Sequence, residues 1–148
     1  MPTPLVFMMG RSPAILPTDR LYSLSHYWAV AAGAGFRLGL TSYAVKLLGD
    51  LRQVSWSVTV GERTGTDSAI GYIEGSKATS DLYAPIEGAI TAINPGPPAT
   101  PVVLNTNPYD DGWLLEIAGN GERLVTAQQY LAHLEAAWPL AQRLLKGQ

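Results

Sequence analysis

The chain has 148 residues and 15.8 kDa, is 47% hydrophobic and only 15% charged, and carries a formal net charge of −2 from ten Lys and Arg against twelve Asp and Glu. That length suits one domain with a real core, and the absence of a basic stripe disfavours nucleic-acid binding, which draws on phosphate counterion release. Cysteine is absent, which excludes disulfides, cysteine-ligated metals and a cysteine nucleophile, so any redox chemistry must ride on a group added to the chain.

Residues 1–20 read as an N-terminal extension, because Pro2, Pro4, Pro13 and Pro17 oppose regular structure across it. The apolar run 5–9 has no basic residue before it and is far shorter than the roughly 20 residues that span a bilayer. A cytoplasmic protein without membrane attachment is the expectation. A single domain is predicted for residues 21–148.

Residues 26–30 are rich in strand formers and run into Gly33-Ala34-Gly35, after which residues 36–40 alternate, so a hairpin is predicted. Thr41 is placed to cap a short helix over 42–48 that Gly49 closes, with Ala44, Leu47 and Leu48 on one face. Residues 51–60 alternate with period 2, Val54, Trp56 and Val58 on one side, which predicts a half-buried strand. Two further strands are predicted at 69–74 and 81–86, then others at 89–93 and 113–117, with a proline-rich loop from Asn94 to Pro101 between these two. The tail changes period. Thr126 with Gln129 has capping-box spacing, and Leu131, Leu134, Trp138, Ala141 and Leu145 recur at helical intervals, which predicts an amphipathic helix over about 126–146. Pro139 should kink or restart it. The fold class is mainly β, with one short internal helix and one C-terminal helix.

Enzyme signatures fail on context. The glycines from Gly33 to Gly39 lie between strands and miss the dinucleotide spacing, and residues 71–78 lack the strand-to-helix setting of a phosphate loop. His26 and His133 have no carboxylates at ligand spacing and read as packed or surface histidines, so no metal site is expected. A Ser-His-Asp triad has no nucleophile elbow to support it. The chain therefore does not read as an enzyme. Lys77 is the one unusual feature. It stands at a predicted hairpin tip between small residues, with Glu74 and Asp81 on either side. By spacing alone it is a solvated turn lysine.

The stretch from Glu74 to Gly88, Glu-Gly-Ser-Lys-Ala-Thr-Ser-Asp-Leu-Tyr-Ala-Pro-Ile-Glu-Gly, resembles the lipoylation segment of the H-protein family of the glycine cleavage system. Ser25-His26 with Trp28, the stretch from Gly39 to Ala44, Leu48-Gly49-Asp50, and the stretch from Asn107 to Leu114 match that family's other local patterns in order. Serine and alanine flank Lys77 where biotinyl carriers place methionines, and Ser76 differs from the aspartate usual in lipoyl domains of 2-oxoacid dehydrogenases.

The resemblance implies a barrel-sandwich hybrid and a lipoyl carrier, with lipoic acid in amide linkage to the Lys77 side chain. It implies that Glu74, Ser76, Ala78, Ser80 and Asp81 are read by a lipoate ligase or an octanoyl or lipoyl transferase. It implies partners: glycine decarboxylase (P protein), aminomethyltransferase (T protein) and dihydrolipoyl dehydrogenase (L protein). Ser25, His26, Tyr27 and Asp81 fall where that family docks its loaded arm. Tyr27 departs from the pattern, which has glutamate there. The segment between Leu51 and Gly61 lacks the family's acidic and proline residues, and residues 1–20 and the helix 126–146 extend the usual frame. Two alternatives stay open: a related lipoyl carrier serving another pathway, such as lipoate relay or sulfur oxidation, or an unmodified interaction module.

Overall fold

The computed structural model describes residues 3–146, with side chains described up to residue 140. The chain opens on two strands, β1 (Leu5–Met9) and β2 (Ser12–Leu16), which pair antiparallel in register Leu5 to Leu16. The extension is thus regular, against the reading drawn from its prolines. Pro4 and Pro17 lie just outside the strands, and Pro13 sits opposite Met8 on an exposed position of a two-stranded ribbon, where a missing amide donor is tolerated.

After β3 (Leu21–Tyr22) come β4 (Tyr27–Ala32) and β5 (Gly35–Leu40), a hairpin in full register from Tyr27 opposite Leu40 to Ala32 opposite Gly35. Helix α1 (Ser42–Leu48) follows, its first turn capped by the Thr41 hydroxyl, which accepts from the Ala44 amide at 3.2 Å. β6 (Leu51–Trp56) ends four residues short of the predicted boundary: Ser57 still donates to Ile70, but the chain then turns at Thr59 and Glu62. β7 (Arg63–Thr64), β8 (Ala69–Gly75), β9 (Thr79–Tyr83) and β10 (Gly88–Ile93) complete the middle of the chain. The second of the two strands predicted around Lys77 stops at Tyr83 because Pro85 lacks an amide donor. The proline-rich loop holds two single-turn helices, α2 (Gly96–Ala99), with proline in its first turn, and α3 (Val103–Thr106). Strand β11 (Leu115–Ala118) and helix α4 (Ala127–Lys146) close the chain.

The strands form a six-stranded sheet in the order β3-β4-β5-β11-β10-β7 and a three-stranded sheet in the order β6-β8-β9. Leu38, Ile90, Leu115 and Ile117 of the larger sheet share one buried cluster with Val54, Ile73 and Leu82 of the smaller, so the two sheets enclose the main core. A second cluster lies outside it. Phe7, Ala14 and Leu16 of the N-terminal ribbon, Tyr22, Trp28, Tyr43 of α1, and Tyr130 and Leu134 of α4 are all buried together. Phe7 meets Tyr43 and Trp138 edge-on at 5.9 and 5.7 Å. This explains why α1 is buried on more than the single predicted face.

The capping box forms as its spacing predicts: the Gln129 amide donates to Thr126 Oγ1 at 3.1 Å and the Thr126 amide donates to Gln129 Oε1 at 2.9 Å. Helix α4 runs through Pro139 without restarting. Pro139 is exposed, so the carbonyl deprived of its helical donor is free to take water. The side chains of Ala141 and Leu145 lie outside the described residues. Among the described residues no helix is long and apolar enough to cross a membrane.

Candidate functional site

Strands β8 and β9 pair from Ala69 opposite Tyr83 to Glu74 opposite Thr79, leaving Ser76, Lys77 and Ala78 as the connection. Two of those amides donate to the last carbonyl of α1, Lys77 to Leu48 at 2.9 Å and Ala78 to Leu48 at 3.3 Å, and the Ser76 amide donates to the Asp50 carbonyl just beyond the helix at 2.9 Å. A helix leaves its last carbonyls without intrahelical partners, and here the hairpin tip supplies the missing donors. In return, the Asp50 amide donates to Ser76 Oγ at 2.9 Å. Ser76 is thus a structural clasp as well as a neighbour of the lysine.

Two glycines permit this approach. Gly49 has φ +84, and a Cβ there would meet Ser76 Oγ at 2.4 Å; a Cβ on Gly75 would meet the Leu48 carbonyl oxygen at 2.1 Å. Asn105 braces the α1–β6 link, its Oδ1 accepting from the Leu51 amide at 2.9 Å and its Nδ2 donating to the Gly49 carbonyl at 3.0 Å. Asn105 was not singled out in the sequence because its partners lie more than fifty positions away. The backbone around Lys77 is therefore pinned while its side chain, and those of Ala78, Ser80 and Asp81, remain exposed. Glu74 is half-buried in β8, opposite Gln53 and Thr79.

A groove of about 300 Å³ runs beside the tip between α1, β9 and the turn that precedes β4. Ser25, His26, Tyr27 and Asp81 all line it, together with Leu40, Ala44, Leu48 and Leu82. His26 belongs to that turn, not to the strand expected there, with φ +78 in the left-handed region. Its Nδ1 lies 2.8 Å from Tyr130 Oη, which is in turn 2.9 Å from Thr41 Oγ1. Burial, with repulsion from nearby His133, pushes the His26 pKa down to about 4, so its ring is neutral at pH 7. Tyr27 is 2% exposed, its Oη is buried without a hydrogen-bond partner, and burial holds its pKa above the ordinary phenol value. Asp81 stands at the exposed rim, where Tyr83 Oη donates to Oδ2 at 3.5 Å.

Trp28 and the matched stretch from Asn107 to Leu114 meet away from the tip. Trp28 Nε1 donates to the Pro108 carbonyl at 2.8 Å, and the Arg20 guanidinium lies over the rings of both Trp28, at 4.9 Å, and Tyr109, at 5.3 Å. Tyr109 Oη accepts from the Ser42 amide at 2.9 Å and donates to the Ile15 carbonyl, tying α1 to the N-terminal ribbon. These residues build the scaffold behind the tip.

Two packed sheets with Lys77 exposed at the tip of a hairpin define a barrel-sandwich hybrid. A crystal structure of a glycine cleavage system H protein from Mycobacterium marinum superposes with a TM-score of 0.72 at 36% identity, covering 81% of this chain and 99% of that one. The family model described as "Glycine cleavage H-protein" matches residues 20–137. A "Probable glycine cleavage system H protein" from Natronomonas pharaonis is 40% identical over 122 residues, which are 80% of this chain and 96% of that protein. A "Glycine cleavage system H protein" from Listeria innocua is 38% identical over 112 residues, which are 76% of this chain and 89% of that protein. The chain belongs to the glycine cleavage H-protein family. The β1–β2 ribbon lies before the residues matched, whereas the match runs into α4 as far as residue 137, so the first half of that helix is part of the family's frame and not an extension of it.

Proposed function

We propose that the chain is the lipoyl carrier of a glycine cleavage system in the cytoplasm, with lipoate in amide linkage to Lys77. Residues 21–148 make up the carrier domain in this reading, and residues 1–20 are an addition to it. The observation that carries it is the pinned hairpin tip: three successive amides anchor residues 76–78 to α1 and Asp50 while the Lys77 side chain stays exposed. The site fits such a group. Ser76 and Ala78 are small enough for a ligase or transferase to reach the lysine, and the adjoining groove has apolar walls where a hydrocarbon arm can rest. Glu74, Ser80 and Asp81 complete the surface read by the modifying enzyme.

When bound, the dithiolane supplies the thiol chemistry that accepts an aminomethyl group from glycine decarboxylase, yields it to aminomethyltransferase and is reoxidised by dihydrolipoyl dehydrogenase. The chain performs no catalytic step of its own. Its residues fix the root of the arm, and Ser25, His26, Tyr27 and Asp81 border the groove where the arm docks. A rigid root with a flexible reach raises the effective concentration of the arm at each partner. The second reading, a related carrier for another pathway, is favoured by Tyr27, which leaves the groove floor without a carboxylate.

The test is reconstitution with the three partner enzymes, glycine, tetrahydrofolate and NAD. Glycine-dependent NADH formation that requires lipoylated protein and is lost in Lys77→Arg supports the carrier of glycine cleavage. Lipoylated protein that is inert with all three partners supports the second reading. A chain that no lipoylating enzyme modifies is an interaction module.

A further inference from the structure

We propose that a second cavity, on the opposite side of α1 from the groove described above, seats the arm of Lys77 in its unloaded, neutral form. The inference rests on the lipoyl reading of Lys77 and leaves the loaded arm in that groove.

The cavity has a volume of about 460 Å³ and runs beside α1 to the hairpin tip. Ser42, Val45, Lys46 and Gly49, spaced as one face of a helix, line it, whereas Ala44 and Leu48 on the other face line the groove. The tip straddles the two, Lys77 bordering the cavity and Ala78 the groove. The lysine stem already lies on the cavity side, so near the helix end that a Cβ on Gly49 would meet Lys77 Cγ at 2.9 Å. An arm attached at Nζ therefore starts at the cavity mouth. From there α1 follows the cavity for about 10 Å, seven residues of helical rise, comparable with an extended octanoyl chain.

The remaining walls come largely from the two ends of the chain. Met9 and Ser12 belong to the β1–β2 ribbon and Trp138 to α4, and all three fall outside the residues matched by the family model. A thioether and an indole are polarisable neighbours for the dithiolane sulfurs, and Val45, Leu47 and Pro108 offer apolar surface to the methylenes. Once Lys77 is acylated, Lys46 is the cation that remains in the lining, and Asp50, exposed beside the tip, is its one carboxylate. An amine gains no anionic partner along the rest of the wall, so the seat suits a neutral arm. The ribbon thus adds to the family's frame a resting place that covers the end of the arm between partners.

The experiment uses the full-length chain lipoylated at Lys77, and a second preparation octanoylated there, both with labelled methionine, leucine and valine methyl groups. At pH 7 NOEs connect either arm to the Met9 and Val45 methyls and to the Trp138 indole. Met9→Asp, which puts a carboxylate into the lining, lowers the docked population by roughly tenfold. The NOEs of the unaltered chain decide the matter should that variant not fold. NOEs confined to Leu48 and Leu82 in the groove across α1, no arm NOEs at all, or a docked population unchanged in folded Met9→Asp overturn the inference and leave the carrier reading intact. Failure of lipoate ligase to acylate Lys77 overturns both.

Discussion

Asp50 and Ser76 hold each other by two hydrogen bonds, the Ser76 amide donating to the Asp50 carbonyl and the Asp50 amide donating to Ser76 Oγ, each at 2.9 Å. This reciprocal pair joins the end of α1 to the root of Lys77. The position of the lysine is thus set by the helix and is not left to a free turn.

Loosening that pair should affect modification more than folding. Ser76→Ala removes one hydrogen bond, about 0.5–1.5 kcal/mol of stability, and should slow acylation of Lys77 by a lipoate ligase. Gly49→Ala is the harsher change. It forces an alanine to φ +84 and against Ser76 Oγ, costing about 1–3 kcal/mol from backbone strain alone. Thermal melts and the rate of lipoyl incorporation measure both effects.

The N-terminal ribbon and α4 should behave as one packing unit. Phe7 is 6% exposed between Tyr43 and Trp138, so Phe7→Ala should cost about 3–5 kcal/mol. Truncation before Thr126 removes Tyr130 and Leu134, both fully buried, and should lower stability by several kcal/mol, since full burial of one such side chain is worth roughly 1.5–3 kcal/mol. Denaturant titration reads both, and an unchanged midpoint would refute the packing described.

Stability should fall in mild acid because of His26. Burial lowers its folded-state pKa from 6.5 to about 4, so the unfolded chain binds the extra proton between those values. The contribution is fully present above pH 6.5 and is lost as pH falls toward 4, amounting to about 3 kcal/mol at most. His26→Gln should flatten the slope of stability against pH across that window. A slope unchanged by the substitution would contradict the assignment.

Local signals were the legible ones. The α1 caps, the Thr126 and Gln129 box, the β4–β5 hairpin and the Lys77 tip each depend on residues a few positions apart. The family resemblance, read from the stretches 25–28, 39–44, 48–50, 74–88 and 107–114, agrees with the match over residues 20–137. What escaped was non-local. The β1–β2 ribbon is held by Phe7 and Tyr109 contacts with distant elements, which no proline count anticipates. In the sequence Tyr27 is one more strand former in the run 26–30. Only the packed structure shows its phenol buried without a partner.

The most direct measurement is intact-mass spectrometry, with peptide mapping, of the chain produced alongside a lipoate ligase and lipoate. The account predicts one lipoyl group per chain, located on Lys77, absent from Lys77→Arg, and moving the formal net charge from −2 to −3 by removing one positive charge. A chain that remains unmodified, or carries its lipoyl group on Lys46 or Lys146, would contradict it.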